Sequence, residues 1–442
     1  MEVAVVFARV AEAVRERVVV SVRVVVAVAA HVAVFARGAV VVAVLAVAEA
    51  INPVFGGNGV KYCHCHLIIL NMGDGQVRTI IFIVTKECQF RCRYCYLVEK
   101  NSYEVMPSII GRSAVDFILA NPEFDEDSVI LDFIGGEPLI EIERIEEICG
   151  YFVKRAEESG HRWSTNYTIR ITTNGLLYNK EAVQAFLIKY NEHISISISL
   201  DGTKRKNDTN RVFVSGKGTY DSIIDNVRLW IRQYPESESR MTISHDDLPF
   251  VKESILHLLE LGIKNIDVRI VNEDVWKDGD DIIYENQLIS LADYLVSKES
   301  LDSHLSCFHE EKGMPISDNV DISCGNKVIA IDSLGNLYPC HRFASYSLRT
   351  KSPLIIGDVF NGIDKNKMRA FACFDVRTHN SKECNECNIC GDCRFCLAED
   401  YDSAETNTIY QHSKAICKMH KAEVRAYNYY WRLYNHKSQN YD

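Results

Sequence analysis

From Val77 onward the chain alternates short apolar runs with amphipathic stretches. Val77–Thr85, Val129–Phe133, Tyr167–Thr173, Ile194–Leu200, Arg240–Ser244 and Ile266–Val271 are too short for buried helices and rich in β-branched residues, so they predict strands. Between them, Glu141–Ser159, Lys180–Tyr190, Tyr220–Gln233 and Phe250–Leu261 carry apolar residues at helical spacing. Six strand-then-helix units predict an α/β fold whose parallel sheet curls into a partial (β/α)6, TIM-like barrel over 77–300. Its last helix is expected at Ile282–Ser297, after a solvated acidic turn, Asp278–Asp281. A short strand region (51–76) precedes the barrel; a Cys-rich domain (301–420) and a terminal tail or helix (421–442) follow it.

Residues 1–50 break with this pattern. Thirty-four of them are Val or Ala, and Lys, Ile, Asn, Asp, Thr and Gln, all plentiful later, are absent. Val24–Ala48 has the length of a membrane span or signal anchor, with Arg15, Arg17 and Arg23 on its amino side. The expectation adopted is an extension that is no functional domain, such as a start assigned upstream of the true one, and no membrane role. Within Val60–Leu70, strand alternation would send Cys63 and Cys65 to one face and His64 and His66 to the other, so a partly buried strand is expected there rather than a metal site.

The chain has 442 residues, 47% hydrophobic and 25% charged, as ordinary globular proteins do. A formal charge of −11 disfavours nucleic acid as partner. Most of the sixteen cysteines fall into close metal-type spacings, which predicts a reducing cytoplasm and metal clusters rather than disulfides.

Ligands of such barrels sit at the carboxyl ends of the strands, and chemistry-bearing residues collect there. The first strand ends at Cys88, Cys92 and Cys95, spaced C-x3-C-x2-C. Three thiolates on one short loop can converge on a metal site and leave one position open; a zinc site completed by a distant residue is the alternative. The second strand ends at Gly135-Gly136-Glu137-Pro138-Leu139, where two glycines admit close backbone approach and Glu137 offers an acceptor for a cation. The third ends at Thr172-Thr173-Asn174-Gly175 and the fourth at Ser199-Leu200-Asp201-Gly202, segments that are also ordinary turn formers.

C-x3-C-x2-C followed by GGEP resembles the radical S-adenosylmethionine (radical SAM) enzymes. The resemblance implies a 4Fe-4S cluster on Cys88, Cys92 and Cys95, with the amino and carboxylate groups of SAM on the open iron. It also implies that Gly135, Gly136, Glu137 and Pro138 receive the SAM amino group, that Tyr94 lies near the adenine, and that Asn174, Ser199 and Asp201 help to hold SAM. Reduction of the cluster would split SAM into methionine and a 5′-deoxyadenosyl radical, which abstracts hydrogen from a substrate carbon.

After Cys307 the composition changes again. Cys324 is followed by Gly335 and Cys340, then Cys384, Cys387, Cys390, Cys393 and Cys396 recur every third residue, and Cys417 stands alone. Zinc ribbons and iron–sulfur sites both use such spacings. The order Cys324-x10-Gly335-x4-Cys340, Cys384-x2-Cys387-x5-Cys393, Cys417 resembles the SPASM extension of radical SAM peptide-modifying enzymes, which implies two auxiliary 4Fe-4S clusters. One would take Cys384, Cys387, Cys393 and Cys417, the other Cys324, Cys340 and Cys396. Cys396 comes one residue earlier than the pattern, and Cys390 is extra. The fourth ligand of the second set could therefore be Cys307, Cys390 or a substrate thiolate at an open iron. Sulfatase-maturing members of the family carry an Asp where this chain has His341, which argues against that activity. Ala330–Cys340 reads as a hairpin and Ile355–Val359 as a further strand. Cys149 and Cys373 read as buried or free thiols, and Lys414–Tyr434 as a terminal helix.

The segments Met241–Ser244 and Leu248–Ser254, with Asn272-Glu273-Asp274-Val275-Trp276, are similar to maturases whose peptide targets contain CXXX repeats. The expected function is radical SAM maturation of a ribosomally synthesised, Cys-rich peptide by oxidative thioether crosslinking. Carbon–carbon crosslinking, epimerisation and a non-catalytic zinc-binding module are the alternatives. The expected partners are the precursor peptide and an electron donor such as flavodoxin or ferredoxin.

Overall fold

The computed structural model describes residues 76–438, apart from 99, 101, 274, 299–302, 309–322, 376–378, 391–392 and 394. The Val/Ala-rich extension and the Cys63-His64-Cys65-His66 run lie outside the described residues.

Each of the six predicted barrel strands forms: β1 (Val77–Thr85), β2 (Ser128–Gly135), β3 (Tyr167–Thr173), β4 (Ile194–Ile198), β5 (Glu238–Ile243) and β6 (Asn265–Ile270). The first four pair in parallel in chain order. β5 and β6 form a second parallel sheet with β7 (His304–Leu305). The two sheets meet through one bridge, Ser199 to Arg240, where the Leu200 N–H donates to the Arg240 carbonyl at 3.1 Å.

Beyond β7 the chain returns to the barrel. β8 (Val328–Ile331) lies parallel to β1, pairing Thr79 with Val328 and Phe82 with Ile331. It continues antiparallel into β9 (Asn336–Tyr338), β10 (Gly357–Asp358) and β11 (Gly362–Ile363). The expected hairpin at Cys340 is β8–β9, and its first strand extends the barrel sheet. A helix not anticipated between β1 and β2 spans Ser108–Ala120 and follows Pro107, which is set for a helix start. Its Gly111 has no room for a Cβ, which would lie 2.7 Å from Ile148 of the neighbouring helix Ile142–Glu158.

The period-two alternation of the strands gives the sheet two unlike faces. Ile80, Phe82, Leu131, Phe133, Ile169, Ile171, Ile196, Ile198, Met241 and Val268 belong to the apolar core shared with the helices. The opposite face is divided. On β1 and β8 it carries Ile81, Ile83, Val328 and Ala330, packed in a second core with Tyr338, Phe343 and Tyr346. From β2 to β6 it carries Asp132, Arg170, Ser195, Ser197, Arg240, Asp267 and Arg269, the intervening positions of the same strands. Arg170 and Asp132, adjacent in register, form an ion pair at 2.8 Å.

The terminal helix, Cys417–Ser438, packs along Asp280–Lys298: the Tyr284 hydroxyl donates to Glu423 at 2.9 Å, and Arg425 pairs with Glu285 at 2.6 Å. No helix of the described residues is long and apolar enough to cross a membrane.

Candidate active site

Cys88, Cys92 and Cys95 lie half-buried on the loop that follows β1. Three elements pin this loop. The end of β2 continues its ladder onto it, with the Gly136 N–H donating to Thr85 O at 2.9 Å and the Glu137 N–H to Glu87 O at 2.8 Å. A Cβ on Gly135 or Gly136 would stand 2.1 or 2.2 Å from the Thr85 or Glu87 carbonyl oxygen. The two glycines therefore let the second strand press against the cysteine loop. Residues 210–213 run along its other side: the Arg91 N–H donates to Val212 O at 2.6 Å, the Arg93 N–H to Asn210 O at 3.0 Å, and Phe90 meets Phe213 edge-on at 5.1 Å.

The third pin is Tyr94. Its hydroxyl donates to Asp201 at 2.6 Å and accepts from Arg211 at 2.9 Å. Asp201 is fully buried, and its other oxygen accepts from the Thr242 N–H at 3.0 Å. Both carboxylate oxygens thus tie the cysteine loop to the start of the second sheet. Glu137 plays the same part between β2 and β3, accepting from Thr173 Oγ1 at 2.6 Å, the Asn174 N–H at 2.7 Å and the Leu139 N–H at 3.1 Å. Burial raises its pKa, and these donors oppose the rise. Pro138 is buried at the start of the short turn Pro138–Glu141.

Asn174 reaches the trio directly. Its side-chain amide donates to Gln89 at 3.3 Å and lies 3.8 Å from Cys88 Sγ, which also accepts from the Phe90 N–H at 3.4 Å. Ser199 stands apart, half-buried, its N–H held by Thr173 O at 2.9 Å. Arg211 was not legible from the sequence, because the residue it serves is Tyr94, 117 positions away. Its guanidinium is buried, with Nε unpartnered, close enough to Cys92 to favour the thiolate. Burial nonetheless dominates: it raises Cys92 and, with the charge of Glu137 second, pushes Cys88 up to about 12. The bare thiols of Cys88 and Cys92 hold their protons at neutral pH, and a cationic cluster would release them. The sulfur donors, the amide at Cys88 and the unpartnered Nε of Arg211 fit such a cluster.

The loop continues into Tyr96, whose ring lies 5.5 Å from that of His341, the residue after Cys340. Arg342 lies 4.9 Å over the Tyr96 ring and pairs with Glu273 at 2.7 Å and Glu399 at 3.4 Å. His341 Nδ1 and Asp132 Oδ1 are buried without a hydrogen-bond partner. Burial, with Arg342 adding, drives the His341 imidazole down to about 3, so it is neutral.

Cys324 and Cys340 are buried in the second core, and Cys95 and Cys396 pack against the same core. Their loops are joined where the Gly325 N–H donates to Pro339 O at 2.8 Å. Cys384, Cys387, Cys390, Cys393 and Cys417 line a cavity of about 380 Å³ that Cys396 borders as well. Cys390 thus joins the Cys384 group. Cys307 is buried on the turn Ser306–Phe308, in the core of the barrel rather than that of Cys324 and Cys340. Cys149 is buried in the helix Ile142–Glu158 and Cys373 is exposed. Among the described residues no three His, Cys, Asp or Glu side chains converge closely enough to hold a single metal ion.

Residues 82–268 match the Radical SAM superfamily. A cysteine-type anaerobic sulfatase-maturating enzyme of Clostridium novyi is 25% identical over 323 residues, 68% of this chain and 83% of that protein. The chain spans 63%, 50% and 47% of the lengths of three other curated relatives. The solved structure of native anSMEcpe with bound AdoMet and Cp18Cys peptide superposes with a TM-score of 0.61 at 18% identity, covering 83% of this chain and 100% of that one. Streptococcus suis SuiB bound to precursor peptide SuiA superposes with a TM-score of 0.52 at 17% identity, covering 75% of this chain and 74% of that one. At such identities these two likenesses concern the fold.

Proposed function

This chain carries a radical SAM domain, and on that premise we propose that it matures a ribosomally synthesised, Cys-rich peptide by oxidatively joining cysteine sulfur to a neighbouring carbon. The observation that supports the reading is the contact of Tyr96, next to Cys95, with His341, next to Cys340, a wall of side chains between the two expected ligand trios, with Cys95 and Cys396 packed against the core that buries Cys324 and Cys340. A peptide at that wall would have a radical source on one side and a second sulfur-liganded site on the other.

Cys88, Cys92 and Cys95 would hold the 4Fe-4S cluster, which with SAM supplies a reductively generated carbon radical able to remove hydrogen from carbon. The chain's own residues position the reactants. Tyr94, Asp201 and Arg211 fix the cysteine loop against the second sheet, and the Gly135–Glu137 backbone fixes it against β2. The polar half of the inner face, Asp132 to Arg269, offers donors and acceptors suited to a peptide backbone. Cys324, Cys340 and Cys396 would hold one auxiliary cluster, with a fourth position free for a substrate thiolate: Cys307 lies in the barrel core, and Cys390 lines the cavity of Cys384 whereas Cys396 also packs against the core of Cys324 and Cys340. Each crosslink removes two hydrogens from the peptide. The solved relative with bound precursor peptide supports a peptide substrate. His341 in place of the Asp of sulfatase-maturing enzymes points away from that activity.

The test is co-expression, without oxygen, of the chain with the short Cys-rich peptide encoded beside its gene, followed by accurate mass and free-thiol counting. Mass losses of hydrogen pairs matched by lost thiols, and absent with Cys92→Ala, establish thioethers. Hydrogen loss with all thiols intact means carbon–carbon crosslinking, and unchanged mass with solvent deuterium incorporated means epimerisation. Zinc without iron in the purified chain would leave a binding module.

A further inference from the structure

The cysteine-rich cavity holds more ligands than one cube requires. The Cys387 N–H donates to Cys384 O at 3.2 Å, the Cys390 N–H to Cys387 O at 3.0 Å, and the Cys393 N–H to Cys390 O at 3.4 Å. Each of these bonds closes a turn between one cysteine and the next. Cys384, Cys387, Cys390 and Cys393 all line the one cavity, and Cys417, first residue of the terminal helix, lines it too. Six cysteines line the cavity; with Cys396 counted to the core of Cys324 and Cys340, five sulfurs remain for a cluster that takes four terminal ligands. The charges of Cys417, Cys384, Cys390 and Cys387 all bear on the Cys393 thiol, so none of the five stands apart from the group.

We propose that this auxiliary site is built with one thiol to spare, Cys390 standing one turn from both Cys387 and Cys393 and able to replace either as a cluster ligand. Exchange is balanced: the incoming thiol gives up a proton as it binds iron, and the displaced thiolate takes one up. Cys384 and Cys417 lie outside this exchange, because Cys384 is two turns away and Cys417 is on another element. The site would keep its cluster when the thiol at Cys387 or Cys393 is lost, for example to oxidation. The inference rests on the auxiliary-cluster reading and is independent of what the peptide becomes.

The experiment counts iron and sulfide per chain in the full-length protein after anaerobic reconstitution, with far-UV circular dichroism to confirm folding. Alanine is used because serine can itself bind iron. Wild type is expected to carry about twelve irons, three clusters of four. Cys390→Ala and Cys393→Ala should each keep all of them, with Cys393→Ala showing an altered electron paramagnetic resonance spectrum of the reduced auxiliary cluster. The double variant should lose about four irons and keep the signal that responds to added SAM. Loss of four irons in folded Cys393→Ala, or in Cys390→Ala, overturns the proposal, and so does full iron in the double variant. A wild type with only about four irons overturns the auxiliary clusters and the spare ligand together.

Discussion

The rings of Tyr96 and His341 lie 5.5 Å apart, inclined by 58°. One follows Cys95 and the other follows Cys340, so the contact joins two cysteine sites that the sequence separates by more than two hundred positions. Arg342, over the same tyrosine, ties the wall through Glu273 to the loop after β6 and through Glu399 to the helix Leu397–Ser403 that follows Cys396.

Gly136→Ala should unseat the cysteine loop. The added Cβ would lie 2.2 Å from the Glu87 carbonyl, a backbone atom that cannot swing aside. The expected result is loss of about four irons and of the SAM-responsive signal, with auxiliary iron retained. Unchanged iron would show that the loop tolerates the displacement.

Asp201→Asn keeps the shape of the side chain, and its carbonyl can still accept from the Thr242 N–H, but its amide cannot accept the Tyr94 proton. The cluster on Cys88, Cys92 and Cys95 should bleach faster under a chelator, and Tyr94→Phe should reproduce the effect. Weakened SAM binding with cluster lifetime unchanged would instead make Asp201 a direct SAM contact.

Lys206 and Asp247 form an ion pair at 3.1 Å with both side chains fully buried. The lysine also donates to Thr242 O at 2.6 Å, and the carboxylate accepts from Asn210 and the Ser244 N–H. Lys206→Met strands the carboxylate and should cost about 3–5 kcal/mol in urea unfolding. Lys206→Met with Asp247→Asn should cost less than the lysine change alone; an equal or larger cost would mean that volume, not charge, sets the penalty.

Glu238, on the inner face of β5, has its pKa pushed up to about 7 by burial and, second, by the charge of Asp267. The folded chain then holds a proton that the unfolded chain releases near 4.5. Its contribution to stability is full below pH 4.5 and is lost as pH rises through 7. Wild type should lose on the order of 1–3 kcal/mol against Glu238→Gln over that window. Parallel pH profiles of the two urea midpoints would refute the shift.

Much of this was legible in the chain. The strand cores are continuous β-branched runs, and the cysteine spacings declare soft-metal chemistry. Glu137 and Asp201 are expected SAM contacts from the sequence, but the atoms they bond in the fold were not readable there, because Tyr94 and Thr173 come to them only through tertiary pairing. The same holds for β8, whose partner β1 lies at the far end of the barrel sequence. The polar inner face did leave a signal, single charges within otherwise apolar strands, as at Asp132, Arg170 and Asp267. Its meaning emerges only when the register of neighbouring strands aligns them.

The most direct test of the central claim is SAM cleavage by the anaerobically reconstituted, reduced protein, comparing wild type with Cys92→Ala. The account predicts 5′-deoxyadenosine and methionine from wild type and neither from the variant, with auxiliary iron retained in both. Equal cleavage by the variant, or none by wild type with all its iron in place, would contradict it.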